Sequence, residues 1–372
     1  MNFDFSDDQK MLGEQTRRFL ADRCTPQHVR AVLEGDAPYD EQLWAGIVDM
    51  GFPGTAWPEE AGGIGAGYLE LCVIAEALGR HLAPVPFSSS VYLAAEALLL
   101  AGSRDHQQAV LPGIADGNHI ATLAMADGPG ALTPAAIQTR YSKGKLDGTK
   151  IAVPDGSTAR YAIVAARSRD GKDAAGIGLY LVDLQGKGVT RSTQTSIDPS
   201  RDHARLAFKG AAAEPLNDGK HGWQQLQKVL DRAAVLFAFE QLGLATAAME
   251  MARDYTLERY AFGRPIGSFQ ALKHRLADVY SLVELARSNC YYGAWALSSD
   301  AEELPAAAAV ARVSASQAAW EASKENIQLH GGMGFTWAFD CHLYYRRAKL
   351  LSLTIGSEQQ WKDKLIARVA AA

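Results

Sequence analysis

The order of helical and strand patterns is the sequence feature that most limits the fold. Residues 1–117 and 216–372 carry long segments with helical spacing of apolar side chains, whereas residues 118–215 show period-two alternation and turn residues. Such segregation differs from the alternating strands and helices of a dinucleotide-binding fold. The sequence therefore predicts a mainly α protein with a β middle domain: an N-terminal helical domain (1–117), a β domain (118–215) and a C-terminal helical bundle (216–372).

Individual elements follow from capping residues, spacing and turn signals. Predicted helices cover residues 6–22, a segment from before Leu43 to Gly51, residues 68–80, 92–101, 107–114, 223–260, 268–298 and 304–330, and a final pair around Tyr344 and Gln359. Predicted strands cover residues 120–125, 137–141, 145–146, 161–166, 178–184 and 204–208. Asp147-Gly148 is a dipeptide typical of two-residue hairpin turns, so we predict a turn there.

Composition excludes several classes of function. Lys and Arg number 37 against 42 Asp and Glu, so a net charge of -5 leaves no broad basic field for nucleic acid. The 4 cysteines are far apart and form no CxxC pair, which predicts neither a structural zinc site nor a disulfide framework. The acidic start of the chain and the lack of a long apolar run predict a cytoplasmic protein without membrane insertion.

One break between two long helices carries candidate ligand-binding residues. Gly263, Pro265 and Gly267 fall within five residues, so the preceding helix must end there and another begin after Ser268. Arginines beside a helix start suit an anionic ligand, typically phosphate or pyrophosphate. A helical hairpin with solvated arginines is the alternative, and the residue types alone leave it open.

Two later breaks have the same double interpretation. Gln328 is followed by His330-Gly331-Gly332, where the backbone can approach a ligand closely, although glycines also end helices without any ligand. Residues 354–360 form a break in which Ser357 can cap the final helix.

Together these segments resemble the acyl-CoA dehydrogenase family over the whole chain. The resemblance is carried by ERYAFGRPIGSFQ, QLHGGMGFTW and RRAKLLSLTIGSEQQ, and by the N-terminal FDFSDDQKMLGEQTRRFL and LWAGIVDMGFPGTAWPEEAGGIGAG. It implies a helical domain, a β-barrel-like domain and a four-helix bundle, usually in tetramers. It also implies FAD-dependent α,β-desaturation of an acyl-CoA thioester, with a carboxylate removing the α-proton, the flavin taking the β-hydride and an electron-transfer flavoprotein as acceptor.

In this family each FAD lies across a subunit interface, so the two halves of the site are separate predictions. The half that reaches into a neighbouring subunit matches well, and the resemblance implies that these residues contact FAD: Arg259, Phe262, Gln270, Gln328, Gly331 and Gly332. In the final break, Ser357 and Gln359 match the family's Gly-Thr-x-Gln and are also predicted to bind the cofactor.

The half that holds the isoalloxazine ring departs from the family. Residues 126–131 read Ala-Asp-Gly-Pro-Gly-Ala and lack the family's hydroxyl donor, and residues 152–154 read Ala-Val-Pro where the family has an aromatic-Ile-Thr segment. Proline supplies neither a hydroxyl nor a backbone N–H. Ile355 stands where the family often has its catalytic glutamate, and isoleucine cannot take a proton.

A substitute base is hard to find in the sequence. Some relatives place the base ten residues before the glycine that stands here at Gly243, but that position is Ala233. Glu240 lies seven residues after Ala233, on nearly the same helix face and about 10 Å further along, and is the predicted catalytic candidate. An ion-paired or interface carboxylate is the alternative for Glu240, and capping already explains Glu358.

These patterns predict one subunit of a hetero-oligomeric acyl-CoA dehydrogenase, which completes the FAD site of a homologous partner. Bacterial relatives that act on steroid side chains or dicarboxylic acyl-CoAs are built from such unequal subunits. The alternatives are a non-catalytic partner subunit, an independent homo-oligomer that uses Glu240, and a flavin oxidase or monooxygenase on the same fold.

Overall fold

A computed structural model of the chain describes residues 5–370. Contacts divide the chain into two compact units. Unit 1 comprises the described residues of Met1–Val29, Tyr68–Ala83 and Ala234–Ala372, and unit 2 comprises Arg30–Gly67 and Pro84–Ala233. The three-domain boundaries expected from the sequence stay a prediction.

Within residues 5–370 the chain forms eleven α-helices and ten β-strands. The helices are α1 (Asp7–Arg23), α2 (Pro26–Glu34), α3 (Glu41–Asp49), α4 (Tyr68–Arg80), α5 (Glu96–Ala101), α6 (Arg104–Ala115), α7 (Gly222–Glu258), α8 (Gln270–Ser298), α9 (Leu304–Leu329), α10 (Cys341–Leu351) and α11 (Glu358–Val369). The strands are β1 (Ala121–Ala124), β2 (Arg140–Ser142), β3 (Lys145–Pro154), β4 (Tyr161–Arg167), β5 (Ile177–Asp183), β6 (Val189–Thr193), β7 (His203–Ala212), β8 (Glu214–Pro215), β9 (Tyr260–Ala261) and β10 (Arg264–Pro265). The mainly α fold with a β middle region is confirmed.

The helix predictions at Ser6 and Ser357 agree with the structure, whereas the helix predicted at 107–114 begins earlier, at Arg104, after a cap by Ser103. The Ser6 hydroxyl accepts from the backbone N–H of Gln9, and the Gln9 side chain accepts in return from the Ser6 N–H, which completes a capping box. Two other helices were also predicted incompletely. The sequence analysis missed α2, and the helix expected from Tyr92 begins earlier, as a π-helical segment Ser88–Ala95 that continues into α5.

Unit 2 contains a mostly antiparallel eight-stranded sheet. Its order is β6-β7-β3-β2-β4-β5-β8, with β1 parallel to β4. The core side chains are mostly small or aliphatic residues at alternate positions of these strands, such as Ala162, Val164 and Ala166, joined by aromatic residues such as Tyr180 and Phe208. β6, β8 and most of β3 were missed, and the strand expected at 137–141 covers Arg140–Ser142 instead.

The hairpin predicted at Asp147-Gly148 is wrong. Asp147 and Gly148 lie inside β3, where they pair with Lys209 and Phe208 of β7. A Cβ on Gly148 would lie 2.6 Å from the Thr139 hydroxyl, so glycine is needed there for close approach rather than for a turn. The turn between β2 and β3 is Lys143-Gly144, with φ of 50° and 77°, as in a type I′ hairpin.

Unit 1 is built on the part of α7 from Ala234 onward, packed with α1, α4 and the helices α8 to α11. α7 is long and apolar enough to cross a membrane by length and composition, but 78% of its most apolar window is buried inside the fold. Core helices of soluble proteins have the same properties, so this match is weak evidence for a membrane span.

Candidate functional site

The first candidate segment forms a tight hairpin between α7 and α8. β9 and β10 pair antiparallel, and the two residues between them, Phe262 and Gly263, have φ of 54° and 77°. A left-handed conformation is costly for an aromatic residue, yet the Phe262 side chain is 94% exposed and rests with one edge on Phe269. The predicted helix break is confirmed. The fold thus presents Phe262 outward instead of using it as core.

Arg259 and Gln270 flank this hairpin and are both exposed. Within residues 5–370 the Arg259 guanidinium has no ion-pair partner, whereas the Arg264 guanidinium stacks 4.1 Å above the Phe269 ring. Arg259 therefore keeps its charge and its hydrogen-bond donors available for an anion from outside the chain.

The second candidate segment lies at the same end of the helical bundle. Tyr255, near the end of α7, stacks 4.0 Å from His330, which follows α9, and Arg275 in α8 pairs with Glu325 in α9 at 2.8 Å. These contacts place the hairpin beside the glycines that follow α9. Gln328, Gly331 and Gly332 are exposed there, so all six residues predicted to reach into a partner share one end of unit 1.

Gly331 and Gly332 fit a backbone cradle for a cofactor. Gly331 has a φ of 60°, which favours glycine for conformational reasons alone. Gly332 has a backbone conformation that other residues also adopt, and a Cβ built on it would meet nothing within 4 Å in this chain. A glycine at this exposed position is thus consistent with the close approach of a ligand, and the donors around it suit the pyrophosphate of FAD.

We expect Gly332→Ala to leave the free energy of unfolding of this chain within about 0.5 kcal/mol and to weaken FAD binding by the assembled protein about tenfold. Gly334 is the matched control, since its Cβ would lie 2.5 Å from the Ile327 carbonyl oxygen. Gly334→Ala should therefore destabilise the chain by about 1–3 kcal/mol. Equal effects on unfolding in both variants would contradict the cradle.

The closing segment holds the residues predicted at 357 and 359. The Ser357 hydroxyl caps α11 by accepting from the Gln360 N–H at 3.3 Å, and the Gln359 amide donates to Asp363 at 2.9 Å. Ile355 is 5% exposed, and its carbonyl accepts from the Trp361 indole. The side chains of Ser357 and Gln359 are thus used within the chain, so their cofactor contacts stay a prediction.

Glu240, the predicted base, lies inside the helical bundle. Its side chain belongs to a residue that is 1% exposed, and its carboxylate acts on the buried guanidinium of Arg312. Burial lowers the pKa of Arg312, and the charge of Glu240 opposes that change. The Arg312 guanidinium itself donates to the Gln241 side chain and to the Leu351 carbonyl, so the ion-paired alternative for Glu240 also stays open. Its role as a base stays a prediction.

In unit 2, the segment where the family places its hydroxyl donor is organised by Asp127. The Asp127 carboxylate accepts from the Gln138 N–H, the Thr139 hydroxyl and the Lys150 ammonium, the last at 2.9 Å. The Lys150 ammonium also donates to the Met125 carbonyl at 2.8 Å. This buried ion pair fixes the loop before Gly128. Both hydrogen bonds of the Lys150 ammonium go to acceptors within the chain, the Asp127 carboxylate and the Met125 carbonyl.

In the second segment, which the family resemblance places beside the flavin ring, two backbone N–H groups are used within the chain. The backbone N–H of Ala152 donates to the Gln194 side chain at 2.7 Å, and that of Ile151 to the Ala126 carbonyl at 2.9 Å. Pro154 has no N–H, and its carbonyl accepts from Thr122. The donors named in these two segments of unit 2 are thus used within the chain, whereas Arg259, at the exposed end of unit 1, has no ion-pair partner within residues 5–370.

The contribution of the Lys150–Asp127 pair to the free energy of unfolding depends on pH. Burial lowers the pKa of Lys150 from 10.5 to about 8, although Asp127 raises it in part. The unfolded chain holds this proton up to a higher pH than the folded chain, so stability rises with pH between 8 and 10.5. We expect the free energy of unfolding, measured in urea relative to Lys150→Met, to rise by about 3 kcal/mol across that range. If the difference in unfolding free energy between the two proteins does not change with pH, the lowered pKa of Lys150 is contradicted.

Sequence reasoning did not find Arg312 and Lys150. Arg312 stands in the run Leu304-Pro-Ala-Ala-Ala-Ala-Val-Ala-Arg312, where a single charge interrupts an apolar helix. Such an isolated charge is a usable signal, because buried arginines are rare unless they are paired. Lys150 gave no comparable signal, since it follows the polar stretch Asp147-Gly148-Thr149 and so reads as one more exposed residue of it.

Comparison with known proteins decides the family. The family model described as "Acyl-CoA dehydrogenase, N-terminal domain" matches residues 6–118, and "Acyl-CoA dehydrogenase, C-terminal domain" matches residues 220–370. The chain belongs to the acyl-CoA dehydrogenase family. Acyl-CoA dehydrogenases are FAD-dependent oxidoreductases that act on CH–CH bonds, and FAD is their cofactor. When bound, FAD accepts the hydride that leaves the acyl chain.

Two curated relatives match over nearly their full length. Acyl-CoA dehydrogenase IpdE2 of Mycobacterium tuberculosis is 32% identical over 345 residues, which cover 92% of this chain and 91% of that protein. Acyl-CoA dehydrogenase FadE27 of the same organism is 31% identical over 367 residues, which cover 96% of this chain and 95% of that protein. The similarity to acyl-CoA dehydrogenases thus extends through all the candidate segments.

Two solved structures, each named for a pair of proteins, are also similar to this chain. A variant of the Tcur3481-Tcur3483 steroid ACAD is 32% identical, with a TM-score of 0.88 and coverage of 98% of this chain and 99% of that chain. The ChsE4-ChsE5 complex from Mycobacterium tuberculosis is 27% identical, with a TM-score of 0.90 and coverage of 100% of both chains. The fold predicted from the sequence is therefore confirmed.

Proposed function

We propose that this chain is the subunit of a hetero-oligomeric acyl-CoA dehydrogenase that completes the FAD site of a homologous partner and supplies no general base. The observation that carries the proposal is the contrast between two parts of the chain. The exposed end of unit 1 presents Arg259, Phe262 and Gly332 outward. In unit 2, the backbone N–H of Ala152 is already used, and Pro154 has none.

The missing base supports the same proposal. Ile355 cannot accept a proton, and Glu240 is buried inside the helical bundle. We infer that α-proton removal is carried out by a carboxylate of the partner subunit, at the partner's own site. The role of this chain there is to bind and orient FAD through the hairpin and through the glycines after α9.

The substrate class and acceptor are parts of the proposal. The similarity to a steroid acyl-CoA dehydrogenase supports an acyl-CoA thioester from steroid or other lipid degradation as the substrate. A cytoplasmic location and an electron-transfer flavoprotein as the electron acceptor complete the proposed role.

Cofactor stoichiometry tests the proposal. We expect the chain expressed alone to retain little FAD, and the chain co-expressed with a homologous subunit that has glutamate at the position of Ile355 to carry one FAD per heterodimer. The measurement is the flavin absorbance of the purified proteins against their protein concentration. A yellow homo-oligomer near one FAD per chain, bleached by an acyl-CoA, would overturn the proposal.

The second candidate function is an independent homo-oligomeric dehydrogenase that uses Glu240 as its base. Its single supporting observation is the position of Glu240 on α7, two turns along nearly the same face as Ala233. If a homo-oligomer proves active, Glu240→Gln should abolish turnover under this alternative. Retained turnover would remove Glu240 from the chemistry.

A further inference from the structure

A charged cluster lies where the helical bundle would ordinarily be apolar. Arg312 of α9 is 1% exposed, and it donates to the Gln241 side chain of α7. The Gln241 amide donates to the Ser316 hydroxyl at 3.1 Å. Glu240, the neighbour of Gln241, supplies the opposing charge. We call Arg312, Glu240, Gln241 and Ser316 the Arg312 cluster.

The Arg312 cluster is costly as a stabilising device. Removing a guanidinium and a carboxylate from water costs several kcal/mol for each ion, and well-packed apolar residues of similar volume often give equal or higher stability. The neighbouring residues of α9 are mostly alanines that pack closely. Stability alone therefore does not account for an arginine at position 312.

The second contact of Arg312 indicates a different role. Its other terminal nitrogen donates to the backbone carbonyl of Leu351, the last residue of α10. Carbonyls in the last turn of a helix have no intrahelical partner, so an outside donor can fix where the helix ends. The segment that follows carries Ile355, Gly356 with a φ of 114°, and Ser357. Arg312 thus joins α7 to the start of this segment through one rigid, forked group.

We propose that Arg312 is a positioning residue: held by its hydrogen bond to Gln241, it fixes residues 352–359 against α7, and so sets the place of Ser357 and Gln359 beside the FAD of the assembled protein. This inference rests on the proposed function for its FAD contact. In this arrangement Glu240 supplies a nearby negative charge, whereas Gln241 and the Leu351 carbonyl supply the hydrogen bonds. A methionine could fill the same volume, but it could not hold the Leu351 carbonyl.

The test compares four variants of the full chain in the co-expressed complex. Arg312→Met removes the guanidinium, Glu240→Gln removes its counter-ion, and the double variant removes both charges. Arg287→Met is the matched control, because Arg287 pairs with Glu76 at 3.0 Å in the same unit and links α8 to α4. Three properties are measured: the urea midpoint, amide hydrogen exchange of residues 352–359, and the rate of FAD release.

We expect Arg312→Met to increase both exchange in residues 352–359 and FAD release by about tenfold or more, since a charge-assisted hydrogen bond to Leu351 is lost. The double variant should recover the urea midpoint, because neither buried charge remains. It should still show fast amide exchange and fast FAD release, because the Leu351 carbonyl still lacks its donor. Arg287→Met should lower the midpoint without a local change in residues 352–359.

Two results would overturn the positioning role. One is a double variant that recovers exchange and FAD release together with the midpoint, and the other is an Arg312→Met variant whose local exchange matches that of Arg287→Met. If the complex with unaltered sequence holds no FAD, the proposed function fails instead. The exchange of residues 352–359 then still decides whether Arg312 positions the segment.

Discussion

Replacing Arg259 with alanine is expected to weaken FAD binding by the hetero-oligomer about ten- to a hundredfold and to leave the free energy of unfolding of this chain within about 0.5 kcal/mol. The Arg259 side chain is exposed and has no ion-pair partner within residues 5–370, so its loss removes no contact inside the chain. A charged hydrogen bond to a phosphate is worth about 1.5–3 kcal/mol, which sets the size of the effect.

Titration of the apo-complex with FAD, followed by flavin fluorescence, measures the change in affinity. Arg253→Ala is the matched control, because Arg253 is also exposed, lies near the end of α7 and pairs with Asp254 at 2.7 Å. It removes the same charge from the same region and should change the FAD affinity by less than about twofold. If the two variants weaken FAD binding equally, the effect comes from the loss of positive charge in this region and not from a specific contact of Arg259 with FAD.

Local sequence signals predicted the elements that depend on local physics. Ser6 and Ser357 cap helices as their residue types and spacing indicate, and Gly263 with Pro265 marks the break between α7 and α8. Each of these signals acts through backbone groups within a few residues, so no distant contact could override it. The candidate residues at this break, Arg259, Phe262 and Gln270, come instead from the family resemblance, because local signals mark the break but not the ligand.

Long-range contacts decided the features that the sequence did not reveal. Asp147-Gly148 has the composition of a turn, but pairing with β7 and the nearness of Thr139 keep it in a strand. Phe262 adopts a left-handed conformation that its own preferences oppose. The environment of Glu240 depends on Arg312, which lies seventy-two residues further along the chain (312 minus 240). No helical periodicity brings these two residues together.

The interpretation of Glu240 shows why a candidate base needs its surroundings. Sequence spacing placed Glu240 on nearly the same helix face as Ala233. The spacing gives the side of the helix that carries the carboxylate, but not which residues surround it. A general base must reach its proton and must have a pKa suited to accepting it, and both depend on neighbours from other helices. The neighbour here is the buried guanidinium of Arg312, which the position of Glu240 on its own helix does not reveal.

The largest effect on stability is expected from a glycine at the crossing of α4 and α7. A Cβ on Gly79 would lie 1.8 Å from the Glu240 carbonyl oxygen, and a Cβ on Gly243 would lie 1.9 Å from the Glu76 carbonyl oxygen. Each helix thus presents a glycine to the backbone of the other. Helix propensity alone predicts that alanine stabilises either position by about 1 kcal/mol. Steric overlap with a backbone carbonyl predicts the opposite sign, because no side-chain rotation can relieve it.

We expect Gly79→Ala to lower the free energy of unfolding by about 3 kcal/mol or more, measured by urea denaturation. Gly128→Ala is the control, since a Cβ on Gly128 meets nothing within 4 Å, and it should change stability by less than about 0.5 kcal/mol. An increase in stability for Gly79→Ala would mean that α4 and α7 do not approach this closely. Because the carbonyl that Gly79 meets belongs to Glu240, forcing the helices apart would also displace the counter-ion of Arg312, so this variant should release FAD faster than its loss of stability alone explains.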